Sequence, residues 1–410
     1  MIVVPFFSTW HAPFVEAALS AGGEACRVLA AGSEEAVRAG LEAVNNDACY
    51  AALLAAGRTV ELLRADGGAS DAMRARAAAA AGRRVDVSCA SDEPLRVAVP
   101  SPCVRCRGDD APYLVRQALA ASELGGGVPV IDGIEALESA AADARAVARL
   151  ADALAFGDAL LQARLRIRPY TGPADALALD ALLAACADRA RGALAADAFA
   201  LEEGLHVLDK ELSDFGAPAR DGRPIVGVVG ALPAVFDERM NAGLVASIER
   251  EGCEVALPYL LPLAAAALRG KGIAVPLGAA LDERCLVLQR FAGAGFRCPT
   301  ARDLERAGTE IVPRFLVQGA GWAIAGAALL FARAGVRDLV YARTFGCLAG
   351  QVTGQGAVKP LRVRCAAEGM DASIATIEFD PGTSEVNQLN RIKLLTAVAK
   401  RAAKRRRNNP

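Results

Sequence analysis

The sequence predicts an α/β protein built from two Rossmann-like lobes of parallel sheet, joined by a helical connection. In both halves of the chain, short apolar segments typical of buried strands alternate with longer segments of helical periodicity. Between the halves, the pattern is helical throughout. We therefore predict an N-terminal lobe at 1–150, a helical connection at 151–220, a C-terminal lobe at 221–400 and a solvated, frayed basic tail at 401–410.

The N-terminal lobe is predicted from alternating strand and helix patterns. A strand at 2–6 precedes a helix at 12–21, which ends at a pair of glycines. A second strand at 26–29 precedes a helix at 33–41, for which Ser33 is the expected N-cap. The same patterns predict a helix from about 50 to 64, strands at 85–89, 96–99 and 128–131, and a helix at 111–124.

The C-terminal lobe is predicted to open with a strand at 225–230. A helix is predicted at 236–251, because Met240, Leu244 and Ile248 recur four residues apart and a glycine follows. The further elements predicted are strands at 253–257, 338–342 and 373–379, a helix at 318–334, and a last helix beginning near residue 385.

Composition excludes several classes of protein. The net charge of −1 favours neither nucleic acid nor a membrane surface as a partner, and the apolar stretch at 321–332 is too short to span a bilayer. Residues 1–5 lack the basic segment of a signal peptide, and eleven cysteines then favour a reducing cytoplasm. With only His11 and His206 in the chain, a histidine-rich metal site is nearly excluded.

Three of the predicted strand-to-helix loops contain cysteines. Cys49 follows an Asn-Asn-Asp loop, Cys103 and Cys106 form a CxxC pair after a strand, and Cys347 follows the strand at 338–342. Open α/β sheets bind ligands at the carboxyl ends of their strands. If the two lobes face each other, these thiols converge on a site between them, and soft thiolates with almost no histidine select an iron–sulfur cluster or zinc.

Other interpretations of these cysteines remain open. A free cysteine is most often a small buried hydrophobic residue, which is the simplest reading of Cys347 taken alone. A single CxxC is also the pattern of a redox pair or of half a metal site. The remaining cysteines fall within elements or connections and are interpreted as core residues; they are Cys26, Cys89, Cys186, Cys253, Cys285, Cys298 and Cys365.

Several segments resemble the 2-hydroxyacyl-CoA dehydratase superfamily, and most closely its branch of CoA-protein activase or activator-associated iron–sulfur proteins. The resemblance extends from about residue 2 to 395, and its longest and most specific segment is the last. The segments are Asn-Asn-Asp-Ala-Cys-Tyr at 45–50, Arg-Ile-Arg-Pro-Tyr at 166–170, Phe-Gly-Cys-Leu at 345–348 with Val-Thr-Gly-Gln-Gly at 352–356, and the run from Asp-Pro-Gly-Thr-Ser-Glu to Leu at 380–394.

The resemblance implies Rossmann-like subdomains around an iron–sulfur cluster, most simply of the 4Fe–4S type. The cluster ligands would be Cys49, Cys347 and either Cys106 or Cys103. It also implies electrons from a separate ATP-dependent iron–sulfur activator protein, an acyl-CoA as one candidate substrate, and a homodimer or heterodimer as the assembly. The chemistry would be a radical-type dehydration or another low-potential reduction.

The sequence departs from the family pattern beside the cysteines. Ala51 stands where the family often has proline, and Ala349-Gly350-Gln351 replaces Pro-Asn-His. The segment around Trp322 lacks the acidic residues common there. The alternatives are therefore a non-catalytic cluster carrier or scaffold for the activator, and a zinc-structured or metal-free protein that keeps only the fold.

Overall fold

A computed structural model describes residues 1–30, 32–65, 95–100, 106–122, 127–133, 143–271, 275–291, 293, 295–383 and 385–408. The strand predicted at 85–89 and the candidate ligand Cys103 lie outside the described residues.

The N-terminal lobe contains a four-stranded parallel sheet in the order β2-β1-β3-β4. Val3 and Val97, on the two central strands, are fully buried, as expected for strands that helices cover on both faces. The elements are β1 (Ile2–Pro5), α1 (Ala12–Ser20), β2 (Cys26–Leu29), α2 (Glu34–Ala43), α3 (Tyr50–Ala65), β3 (Arg96–Val99), α4 (Ala111–Ala121) and β4 (Val130–Asp132).

Three helices follow, in the stretch predicted to be helical. They are α5 (Ala144–Ile167), α6 (Pro173–Ala195) and α7 (Leu201–Phe215). Most of α5 is buried, and it packs against α1 of the N-terminal lobe and against helices of the C-terminal lobe. This long helix therefore joins α1 and the C-terminal sheet in one apolar core, whereas the N-terminal sheet packs in a separate core.

The C-terminal lobe contains a second four-stranded parallel sheet, in the order β6-β5-β7-β8. The predicted α/β class with two parallel sheets is thus confirmed. The elements are β5 (Ile225–Gly230), α8 (Leu232–Phe236), α9 (Leu244–Arg250), β6 (Glu254–Ala256), α10 (Leu260–Lys271), α11 (Val275–Leu288), α12 (Ala301–Thr309), α13 (Gly321–Arg333), β7 (Asp338–Thr344), α14 (Gln355–Ala367), β8 (Ser373–Phe379) and α15 (Glu385–Asn408).

The helix predicted at 236–251 is wrong, because the chain leaves the helix at Asp237. The Asp237 carboxylate accepts hydrogen bonds from the backbone N–H groups of Arg239 and Met240, both at 3.1 Å, which replaces the helical pattern with a turn. Gly243 has a φ of 65°, so the chain re-enters a helix only at Leu244. Met240, Leu244 and Ile248 are nevertheless all buried, so the apolar spacing marked the core correctly.

The C-terminal segment also differs from expectation. Instead of fraying near residue 400, α15 continues to Asn408, and Ala399 and Ala403 on it are buried. Earlier in the same helix, Ile392 is buried but Val386 is 65% exposed.

A buried polar network joins α5 to both lobes. His11 lies between the Ser8 hydroxyl, 2.7 Å from Nδ1, and the Asp158 carboxylate, 3.2 Å from Nε2. Asp158 also accepts the backbone N–H groups of Leu260 and Leu261 at the start of α10. The Ser8, His11 and Asp158 side chains are fully buried, so this Ser-His-Asp arrangement has no access for a substrate and is structural.

No helix in the described part of the chain is long and apolar enough to cross a membrane.

Candidate functional site

A small cleft lies between the lobes, at the carboxyl ends of the N-terminal strands. In that sheet β2 lies on one side of β1 whereas β3 and β4 lie on the other, so the strand order reverses between β1 and β3, which is where open α/β sheets bind ligands. Phe6 and Pro100, directly after these two strands, line the cleft, and Pro233 and Met240 close it from the C-terminal lobe.

Cys49 is the residue before α3 and lies next to residues that line this cleft. Its sulfur accepts hydrogen bonds from the backbone N–H groups of Ala51 and Ala52, both of which also line the cleft. The Asn-Asn-Asp loop before it turns as predicted, because the Asn45 side chain accepts the Asp47 N–H at 2.9 Å. The thiol is therefore held at a helix N-terminus.

Cys106 follows the strand β3, as predicted. The prediction that Cys49 also lies in a strand-to-helix loop is wrong, because the element before it is the helix α2. The Cys106 sulfur accepts the Gly108 N–H at 3.3 Å, and the Cys106 N–H donates to the Asp109 carboxylate at 3.1 Å. This reciprocal pair caps the short 3₁₀ helix that leads into α4. Gly108, the residue that donates to the sulfur, lines the cleft, so Cys106 faces the same region as Cys49.

Cys347 comes from the other lobe, three residues after β7. Its sulfur accepts the Gly350 N–H at 3.2 Å and a hydrogen bond from the Thr344 side chain. A π-helix, Ala349–Gly354, begins two residues later, and such helices are often found at functional sites. The third thiol is thus also held at the start of a helix.

The loops of Cys49 and Cys347 touch. A Cβ built on Gly346 would lie 3.2 Å from the Ala48 carbonyl oxygen and 3.3 Å from the Cys49 Cα. Gly346 has a φ of 72°, so both the conformation and the close approach require glycine. The lobes therefore face each other at their thiol-bearing loops.

Burial is the main cause of the shifted pKa values of the Cys49 and Cys347 thiols. It raises the pKa of Cys49, and it raises the pKa of Cys347 to about 12. Repulsion from Cys49 raises the pKa of Cys347 further, and repulsion from Cys106 raises the pKa of both Cys49 and Cys347. The backbone N–H groups of Ala51 and Ala52 lower the pKa of Cys49, but they do not offset desolvation.

The described residues contain no group of three or more Cys, His, Asp or Glu side chains that could hold a metal ion. Cys49, Cys106 and Cys347 therefore do not surround one position as ligands of a single zinc ion would.

A buried ion pair that the sequence interpretation missed crosses the cleft. Arg58 on α3 donates to Asp237 of the other lobe at 2.8 Å, and the two side chains are only 4% and 2% exposed. Arg58 also donates to the Phe6 carbonyl oxygen at 2.5 Å. The sequence signal for it was a charged residue at the centre of a mostly apolar helix.

The Arg-Ile-Arg-Pro-Tyr segment lies away from this site. Its Tyr170 donates to Glu254 at 2.5 Å, and Arg220 binds the same carboxylate through two nitrogens. Glu254 begins β6, so this cluster is at the amino edge of the C-terminal sheet, whereas Cys347 follows the carboxyl edge. The segment therefore fastens the helical connection to the sheet.

No protein-family model matches this sequence, and neither does any curated protein.

Proposed function

We propose that this chain is an iron–sulfur protein whose cluster is held by Cys49, Cys106 and Cys347, with Cys103 as the alternative to Cys106. The observation that carries the proposal is the meeting of thiol-bearing loops from two facing sheets, each with a backbone N–H donating to its sulfur. The function that fits best is a low-potential dehydratase or reductase component, as the family resemblance implies.

The donor set fits a cluster better than a single ion. Fe–S clusters are bound by thiolates, and hydrogen bonds to the sulfurs tune their potential. A cubane also holds its thiolates further apart than one ion does, because each iron carries its own thiolate. Burial and mutual repulsion disfavour the free thiolates of Cys49 and Cys347, so a bound cation would compensate a charge that the protein alone does not.

The residues around the thiols would control access. Cys49 and Cys347 are 4% and 5% exposed, so water is largely excluded from their sulfurs. Three protein ligands would leave one iron free for a substrate, in the manner of an open catalytic site. When bound, the cluster would supply electrons of low potential.

The proposed partner is a separate ATP-dependent iron–sulfur activator. The chain has no Gly-x-x-x-x-Gly-Lys loop, so it lacks the usual phosphate-binding sequence with which to drive reduction by ATP itself. Two apolar residues flank the Cys347 loop at the surface: Phe345 is 37% exposed and Val352 is 61% exposed. Such residues suit a transient contact with an electron donor.

The alternative function is that of a metal-free relative that keeps the fold. It is favoured by the absence, among the described residues, of a group that could hold a metal ion. Anaerobic purification separates the two, because a cluster protein is brown and a metal-free protein is colourless. A non-catalytic carrier would also be brown, but its reduced cluster would not be oxidised by a substrate.

Serine substitution at Cys49 or Cys347 is expected to deplete iron and sulfide in anaerobically purified protein to less than about half the parent content, because one of three thiolate ligands is lost. Cys253→Ser is the matched control, since Cys253 is equally buried but lies before β6, away from the cleft. Parallel Cys103→Ser and Cys106→Ser variants identify the third ligand. Full iron retention in Cys347→Ser would contradict the assignment.

The reduced cluster is expected to form only with an ATP-hydrolysing activator. The measurement is the rate at which the visible absorption bleaches anaerobically, with activator and ATP, with activator alone, and with ferredoxin alone. A rate at least about tenfold higher in the first case is expected, since burial in apolar surroundings favours a low potential. Equal rates with ferredoxin alone and with activator plus ATP would exclude the dependence.

A further inference from the structure

The helix α15 is strongly basic. It contains eight arginine and lysine residues, all between positions 391 and 407, and its one acidic residue is Glu385 at its start. The helix therefore carries a charge of +7, whereas the whole chain carries −1 and the residues outside α15 together carry −8. The low net charge of the chain thus conceals a separation of charge, and α15 by itself favours an anionic partner.

The C-terminal lobe holds this basic helix in a fixed position. One face of α15 packs against β8 and α9, and the side chains on that face are buried: Ile392, Leu395, Ala399 and Ala403. The remaining side chains of α15 are therefore displayed on a helix that is anchored to the core, at fixed distances from one another, and not on a frayed tail.

Most of the basic side chains described on α15 are not neutralised by the protein. Lys400 lies 3.6 Å from the Glu251 carboxylate. Four others are exposed and have no carboxylate partner within the described part of the chain: Lys393, Arg401, Lys404 and Arg405. Because none of the acidic residues outside α15 pairs with these four, their positive charge is available to a partner.

Exposed apolar side chains lie among these cations. Leu394 is 69% exposed and Val398 is 41% exposed. Spacings of four, three and four residues place Leu394, Val398, Arg401 and Arg405 on one side of the helix. A basic helix that also presents apolar side chains is typical of proteins that bind a membrane surface.

A nucleic acid fits this face less well than an anionic membrane does. Phosphates of a nucleic acid would pair with the cations but would leave Leu394 and Val398 in water. The helix also contains no aromatic residue on which bases could stack. An anionic membrane uses both kinds of side chain, because its headgroups attract the cations and its acyl boundary buries the apolar groups.

We propose that α15 is a peripheral membrane contact. Its outer face binds anionic lipid headgroups through Lys393, Arg401, Lys404 and Arg405, while Leu394 and Val398 enter the boundary between headgroups and acyl chains. The helix lies on the surface of the bilayer and does not cross it. This contact is independent of the proposed iron–sulfur function and needs no cluster.

Vesicle flotation of the full-length protein tests the proposal. Binding to vesicles of phosphatidylcholine with about 30% phosphatidylglycerol is expected to be at least about tenfold tighter than binding to pure phosphatidylcholine, and to weaken as salt is added. Arg401→Gln/Lys404→Gln/Arg405→Gln should weaken binding to the anionic vesicles about a hundredfold, because each basic residue near the surface contributes about fivefold.

A matched control removes the same charge elsewhere. Arg145→Gln/Arg191→Gln/Arg306→Gln changes three exposed arginines on α5, α6 and α12, and it should keep binding to the anionic vesicles within about twofold. A second variant, Leu394→Gln/Val398→Gln, should weaken that binding about tenfold, because less apolar surface is buried in the bilayer. All these side chains are exposed, and circular dichroism checks that each variant is folded.

Several results would overturn the proposal. Equal binding to both kinds of vesicle, or to neither, would exclude an anionic membrane as the partner, and full binding by the Arg401/Lys404/Arg405 variant would exclude α15 as the contact. Unchanged binding by the Leu394/Val398 variant would exclude insertion. Tighter binding to random-sequence duplex DNA at the same salt would assign the face to nucleic acid, and a dimer that only the Arg401/Lys404/Arg405 variant dissociates would assign it to a second copy of the chain.

Discussion

Asp237→Leu is expected to lower the free energy of unfolding by about 3–5 kcal/mol. The change leaves the Arg58 guanidinium buried between the lobes without a counter-ion, since Asp237 is its ion-pair partner at 2.8 Å. It also removes the acceptor that caps the Arg239 and Met240 N–H groups. Urea unfolding followed by circular dichroism measures the loss.

The double variant Arg58→Met/Asp237→Leu is the control for this prediction. It removes both charges and keeps the apolar volume, so it should recover most of the stability and leave a deficit of about 1 kcal/mol from the lost cap. If the Asp237→Leu variant were as stable as the parent, Arg58 would have to be solvated in solution. A double variant as unstable as the single would show that the capping role of Asp237 is the dominant one.

Local sequence patterns were sufficient to predict most of the individual helices and strands. The strand at 373–379 was predicted to the residue, and Ser33 caps α2 by accepting the Ala36 N–H at 3.0 Å. Cys49 at the start of α3 followed from the turn-forming Asn45 before it. These features depend on residues close in sequence, so periodicity and side-chain chemistry determine them.

Features that depend on the relation between the lobes were not predictable in the same way. The contact between the loops of Cys347 and Cys49 depends on how the two lobes pack against each other, and no local sequence pattern reports this. The pairing of Arg58 with Asp237 joins residues 179 positions apart. A charge inside an apolar helix indicates that a partner exists, but it does not say which carboxylate.

The same limit explains the broken helix at 236–251. Met240, Leu244 and Ile248 satisfy a helical spacing and are all buried, so the apolar pattern alone favours one helix. The competing interaction is the Asp237 side chain, which accepts hydrogen bonds from the backbone of its own turn and also pairs with Arg58 of the other lobe. Burial was predictable from the apolar spacing, whereas that spacing does not report the side-chain hydrogen bonds that interrupt the helix.

Gly354→Ala is expected to destabilise the protein by about 3 kcal/mol and to reduce its iron content. A Cβ on Gly354 would lie 1.4 Å from the Tyr341 hydroxyl oxygen, and the ring is only 4% exposed, so it has little room to move away. The hydroxyl also donates to the Ala349 carbonyl oxygen at 3.2 Å, within the π-helix that follows Cys347. Displacing the ring therefore disturbs the turn that supplies the Gly350 N–H to the sulfur.

Gly356→Ala is the matched control for the Gly354 substitution. It is the same exchange two residues later, at a position where a Cβ meets nothing within 4 Å, in the first turn of α14. It should leave iron unchanged and raise stability by about 0.5–1 kcal/mol, because alanine favours helix more than glycine does. Thermal unfolding and iron analysis of both variants, prepared anaerobically side by side, give the comparison. If Gly354→Ala lost stability but kept its iron, the π-helix would support the fold and not the thiol site, and the link between Tyr341 and Cys347 would be wrong.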